Sequence, residues 1–243
     1  MNRTFLTIST MKTKKRNKLL TYLAVVSLLT CATGCEKEKK NSTVTDIDGN
    51  VYKIVTIGTQ VWMTENLRVT HYNDGTPIPN VTDNAEWAAL TTSGYCWYDN
   101  DEATYKEVYG ALYNWHAVNT GMLCPEGWHV PSDAEWDILT EYLGGDTLAG
   151  GMLKATGTVE TGDGSWYDPN IAAADEYGFS ALPGGGHYFN GAFGWMGYYG
   201  TYWTATGNSS SNAWTRYMRY DSRRLVRDQY DKKVGYSVRC IKD

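Results

Sequence analysis

The first 35 residues constrain this chain more than any other stretch. Lys12, Lys14, Lys15, Arg16 and Lys18 form a basic patch, and Leu19 to Thr30 (LLTYLAVVSLLT) follows as an apolar run. Ala32-Thr33-Gly34 then places small residues directly before Cys35. This is the n-region, h-region and cleavage-site order of a secretory signal. The run falls short of the roughly 20 apolar residues that a membrane-spanning helix needs. A small residue followed by cysteine is what a lipoprotein signal peptidase reads, so cleavage before Cys35 and lipidation of its thiol are expected. Ala32 departs from the leucine commonest at that position. Met11 lies just before the basic patch and is the expected true start. Residues 1–34 are thus read as a signal peptide. Residues 35–45 are polar up to Val44 and are read as a flexible tether, because they cannot bury enough surface to fold.

Removing residues 1–34 from the 243 leaves 209, enough for one domain with its own core, expected over 46–243. The removed segment holds six Lys or Arg and no Asp or Glu, so the formal charge of −5 becomes −11. Nucleic acid is therefore not an expected partner. The charge is uneven. Arg216, Arg219, Arg223, Arg224, Arg227, Lys232, Lys233 and Arg239 form a basic ribbon that Asp221, Asp228 and Asp231 offset only in part. Such a ribbon either pairs with the acidic body or faces an anionic partner.

Export to an oxidising compartment permits one disulfide among Cys96, Cys124 and Cys240. Cys124 opens a well-marked motif and Cys240 lies near the end of the chain, so Cys124–Cys240 is the expected pair, with Cys96 a buried thiol. Three free cysteines are the alternative.

Strand alternation and turn residues place two or three short strands in 46–69 and an irregular loop in 70–95, to which Asn84 to Ala89 add a helical turn. TYKEVYGALYNWHAV (104–118) is read as a short helix. The clearest helix starts after Pro131: Ser132 is a good N-cap, Glu135 completes a capping box, and Trp136, Leu139 and Leu143 recur at helical spacing. Residues 146–185 read as Gly-rich loop. TYWTAT, NAWTRYMRY, RRLVRDQY and VGYSVRCIK read as an antiparallel meander. The expected fold class is α+β, with antiparallel strands, one clear helix at about 132–143 and long irregular loops.

No phosphate-binding loop, zinc-ligand spacing or nucleophile motif stands out among these residues. His71, His116, His129 and His187 are not spaced as metal ligands. Asp99, Asp101 and Glu102 form an oxygen-rich turn that calcium could use, without EF-hand spacing. No catalytic or metal residue is assigned. Tyrosine and tryptophan dominate the aromatics. Their rings suit the C–H faces of sugars, while nearby polar groups meet the hydroxyls. Trp203, Trp214, Arg216, Tyr217, Arg219 and Tyr220 are the candidate ligand-binding residues. Strand alternation puts Trp214, Arg216 and Met218 on one face and Thr215, Tyr217 and Arg219 on the other, without saying which is core.

DIDGNVYKIVTIGTQVWMTENLRV (46–69), YGALYNWHAV (109–118), LCPEGWHVPSDAEWDILTEYLGG (123–145), GFSALPGG (178–185) and VGYSVRCIKD (234–243) closely resemble the Fibrobacter succinogenes major paralogous domain (FISUMP) family. Its members are typically secreted or surface lipoproteins of Bacteroidetes and related bacteria, with no assigned enzymatic activity. HVPSDAEW and GYSVRC resemble, more distantly, parts of formylglycine-generating-enzyme-type domains. That likeness implies a C-type-lectin-like fold. The oxidase branch of those domains holds copper with a cysteine pair that this sequence lacks, so the resemblance carries over no enzyme activity.

The resulting expectation is an outer-membrane lipoprotein of the cell envelope, with either a periplasmic or a surface-exposed face. Its domain would bind a glycan or an envelope protein without catalysis. The alternatives are a structural or assembly role and, third, a glycan-active enzyme.

Overall fold

The computed structural model describes residues 42–243. Cys35, the signal peptide and most of the expected tether lie outside the described residues. The tether's last residues fold: β1 (Thr43–Thr45) pairs with β2 (Val51–Ile57), which turns into β3 (Gln60–Met63). Asp46 fastens the first turn. Its carboxylate accepts the N–H groups of Asp48 and Asn50, and the Tyr52 hydroxyl at 2.6 Å.

The next stretch carries α1 (Asn84–Ala89), β4 (Tyr95–Cys96), α2 (Glu102–Tyr109), β5 (Leu112–Tyr113) and α3 (Trp115–Val118). The single helix expected over 104–118 is therefore two helices with a strand between them. α2 stops at Gly110, whose φ of 71° takes the left-handed C-terminal position that glycine favours. β5 pairs with β4, and Asn114 starts α3 by accepting the Ala117 N–H.

β6 (Trp128–His129) leads into α4 (Asp133–Tyr142). This is the helix expected from sequence, with both hydrogen bonds of the Ser132–Glu135 capping box formed. α5 (Asp146–Leu153) occupies ground read as loop. The rest of that region is irregular but tied down. The Lys154 ammonium is buried and donates to the carbonyls of Ile171 (2.9 Å), Arg219 (3.0 Å) and Ser222 (2.9 Å). Burial pulls its pKa down to about 8. Buried Arg239 similarly donates to the carbonyls of Phe179 and Ser180 and to Asn66.

β7 (Gly184–His187) and β8 (Phe193–Met196) form a hairpin, and β9 (Tyr199–Gly207), β10 (Asn212–Arg219) and β11 (Val226–Asp231) form a three-stranded meander. The expected fourth meander strand does not join it. Residues 234–240 are buried and cross between sheets, bridging Tyr113 to Tyr236, His187 to Gly235 and Tyr202 to Ser237. β12 (Ile241–Lys242) then inserts between β3 and β6, giving the order β1-β2-β3-β12-β6. Both ends of the described chain thus share one sheet. The expected Cys124–Cys240 disulfide is present, closing a separation of 116 residues, and Cys96 is a buried thiol.

The described residues form an α+β domain of mostly antiparallel sheets with a few helices. Its interior is aromatic: Trp62, Trp87, Trp97, Trp136, Trp166 and Trp203 are fully buried. Each indole removes roughly 150–250 Å² from water, which at about 25 cal/mol per Å² contributes several kcal/mol.

Candidate functional site: an aromatic pocket on the meander

The six ligand-binding candidates separate by environment. Trp203 belongs to the core, where its indole N–H donates to the Tyr113 carbonyl at 2.9 Å. Arg216 is only 2 % exposed and is clasped by Asp133 and Asp137 of α4. Both residues are structural. Trp214 is half-buried, and the Arg227 guanidinium lies 3.3 Å above its ring, so that face is already covered. Tyr220 packs edge-on against Tyr198 at 5.1 Å and lies against the core around Trp62, Trp136 and Trp166. Arg219 is held by both oxygens of Asp221, at 2.9 and 2.6 Å, and lies over the Tyr199 ring. Tyr217 alone among the six lines a cavity with other aromatics. The structure also decides the faces of β10. Met218 packs into the core beneath α4 and α5 alongside Arg216, and the Tyr217 side turns toward the cavity.

That cavity measures about 280 Å³. Tyr188, Trp195, Tyr199, Tyr217, Tyr230 and Tyr236 wall it, with Gly185 and Thr201 completing the lining. Five separate strands supply most of it: β7 and β8 give Gly185 and Trp195, while β9, β10 and β11 give Tyr199, Tyr217 and Tyr230 of the meander. Antiparallel pairing brings them together, since strands far apart in sequence lie side by side. Their rings meet at angles that favour the aromatic quadrupole: Trp195–Tyr199 at 5.5 Å and 69°, and Tyr230–Tyr236 at 5.3 Å and 78°.

Trp195 is the exposed member, at 55 %. Its φ is +63°, a region bulky residues rarely enter. Such a backbone costs on the order of 1–3 kcal/mol and is found most often at ligand clamps and active sites. The ring packs edge-on against Tyr198 and Tyr199 and leaves its other surface to solvent.

Burial raises the pKa of Tyr188, Tyr217 and Tyr236, and that of Tyr230 to about 12. Asp228 adds to the rise at Tyr217, Tyr230 and Tyr236. The lining therefore presents aromatic faces and hydroxyls, and no carboxylate, imidazole or amine.

The basic ribbon is largely consumed internally. Besides Arg216 and Arg219, Arg224 pairs with Asp146 at 2.6 Å and Arg227 with Asp133 at 2.7 Å. Lys232 and Lys233 donate to backbone carbonyls. A charged groove of about 280 Å³ runs beside α4, but its arginines are those same paired ones.

The acidic turn is likewise occupied. Asp101 caps α2 through the Thr104 N–H, and Glu102 pairs with Lys106 at 2.7 Å. Among the described residues no group of three or more His, Cys, Asp or Glu converges as a metal site. Cys96 and His187 meet at 3.3 Å, buried in the core.

Sequence reasoning found Tyr217 and missed the rest of the pocket. Tyr188 and Trp195 lie in a segment dominated by glycine, which reads as turns. Comparison with curated proteins and with solved structures gives no match. The family model for the Fibrobacter succinogenes major domain matches residues 55–242, and the chain belongs to that family.

Proposed function

We propose that this chain is an exported envelope lipoprotein, anchored through lipid on Cys35, whose domain binds a glycan or protein ligand without catalysis. The pocket walled by Trp195 and the tyrosines of the meander carries this reading. A concave site walled by half-buried tyrosines, with one exposed indole at its edge, has the mix of apolar faces and polar groups that a recognition site needs. Hydrolysis of a glycosidic bond would ordinarily require a carboxylate pair across the substrate, and the lining offers none.

A C-type-lectin-like fold is part of the same reading. Pairing of both chain ends in one sheet and a long irregular middle support it. Anchoring rests on the sequence alone. The expected compartment is the outer membrane, and the Cys124–Cys240 disulfide suits export.

Two experiments test the proposal. Metabolic labelling with a fatty acid should mark the wild-type chain and leave Cys35→Ser unlabelled, with its signal peptide uncleaved. Equal labelling of both would remove the anchor. A glycan array and a cross-linking search for envelope partners should find a ligand whose binding falls with Trp195→Gly. A ligand insensitive to that change would remove the pocket from the account.

A further inference from the structure

We infer that the pocket receives one uncharged pyranose ring, laid with its C–H face against Trp195 and its hydroxyls toward the tyrosines. The inference rests on the ligand-binding reading above and narrows it to a substrate class.

Three observations carry it. The first is charge. The domain is rich in ions, yet the lining has none. Arg219, beside the pocket over Tyr199, is already neutralised by Asp221. A carboxylate or phosphate entering the pocket would lose water without gaining a cationic partner, which is unfavourable. A neutral ligand meets no such cost.

The second is the pairing of ring and hydroxyl. Tyr188, Tyr217 and Tyr230 line the pocket, and each such side chain carries a hydroxyl on the edge of an aromatic ring. A pyranose is built the same way, with C–H bonds along its faces and hydroxyls around its edge. An aliphatic side chain would use the rings and leave the phenols without partners, which disfavours burying them.

The third is size and exposure. At about 280 Å³ the cavity lies near the lower bound of roughly 300–1,000 Å³ for pockets that take drug-sized ligands. One ring fits, with the rest of a glycan passing out over the mouth. Trp195 stands at that mouth, 55 % exposed and held at positive φ.

The test uses the full chain in detergent and calorimetric titration. The probes are methyl glycosides of glucose, galactose, mannose and N-acetylglucosamine, a methyl glucuronide, and a tyrosine-containing peptide. At least one neutral glycoside should bind with Kd on the order of millimolar, typical of few contacts. Its affinity should be unchanged between about 50 and 500 mM NaCl, because no screened charge pair is involved. Trp195→Gly should weaken binding at least tenfold with an unaltered circular dichroism spectrum, and Trp195→Phe should restore part of it. Tyr217→Phe, which removes one hydroxyl and keeps the ring, should weaken it several-fold.

Preference for the glucuronide, with affinity that falls as salt rises, would overturn the uncharged class. So would binding of the peptide alone, or no neutral glycoside bound at all. In either case a glycan or protein ligand lost in Trp195→Gly would leave the proposed function standing. A glycoside that binds Trp195→Gly as well as wild type would overturn the site itself.

Discussion

Gly185 and Trp195 are the two residues left facing each other between the β7–β8 pairs Gly184–Met196 and Gly186–Gly194, and both have positive φ, +61° and +63°. The pair sets the pocket's edge. Gly185 brings bare backbone against β8, and Trp195 throws its indole over the mouth. A Cβ on Gly185 would strike the Gly194 carbonyl and lie 2.7 Å from the Met196 nitrogen. Gly185→Ala should therefore part the hairpin. Alanine at positive φ, with a backbone clash added, should cost more than about 1 kcal/mol. Urea denaturation should show the loss, and ligand binding should fall with it. An alanine variant as stable as wild type would mean that the hairpin tolerates what its geometry forbids.

Arg216 makes a second prediction, through its partners. It is buried and pairs with the mostly buried Asp133 and the exposed Asp137, and Asp133 also holds Arg227. Removing one partner of a buried pair leaves a charge short of compensation, typically at about 3–5 kcal/mol. Because Asp137 remains, Asp133→Ala should fall near the lower end. Asp221→Ala, which frees the partly exposed Arg219, should cost under about 1 kcal/mol. Chemical denaturation of both variants checks the contrast, and equal losses would contradict it.

The disulfide closes a long loop. On the chain-entropy account, a loop of that size constrains the unfolded state by roughly 4–5 kcal/mol. The double variant Cys124→Ser, Cys240→Ser should show a loss of about 2–5 kcal/mol in equilibrium denaturation. A loss below about 1 kcal/mol would show that the unfolded chain is already compact there.

His187 predicts a pH dependence. Burial lowers its pKa to about 4, and the hydrogen bond to the Gly191 carbonyl opposes that only in part. An unfolded histidine titrates near 6.5. Between those values the unfolded chain takes up a proton that the folded chain refuses. Its contribution to stability is therefore complete above pH 6.5 and lost as pH falls toward 4. The loss is roughly 3 kcal/mol, at about 1.4 kcal/mol per pKa unit. His187→Phe should flatten the fall in urea midpoint across that window. An unchanged slope would assign the effect to other groups.

Much of the scaffold was legible from local signals. Ser132, Glu135 and Trp136 announced α4 because capping and helical period act within a few residues. Cys124 and Cys240 were paired correctly from compartment and position. What failed was non-local. VGYSVRCIK alternates like a strand, yet long-range bridges draw it through the core and leave only Ile241–Lys242 as β12. α5 was hidden by Gly150 and Gly151, poor helix formers required by close packing, Gly150 against the Arg224 backbone and Gly151 against the Ala172 carbonyl. That the ribbon pairs internally was one of the two expectations, but which acids hold Arg216, Arg224 and Arg227 was not legible, because Asp133, Asp137 and Asp146 lie 78 to 94 residues away. The pocket stayed unseen for the same reason. Tyr188, Trp195, Tyr217, Tyr230 and Tyr236 share no spacing and meet only through sheet register.

The central claim is that Trp195 meets ligand. Its most direct test is the indole ¹⁵N–¹H resonance of Trp195, assigned by its disappearance in Trp195→Phe and followed during titration with neutral glycans. The claim predicts a saturable shift of that resonance, with those of the buried Trp62, Trp136 and Trp203 unmoved. A bound glycan that leaves the Trp195 resonance in place would contradict it.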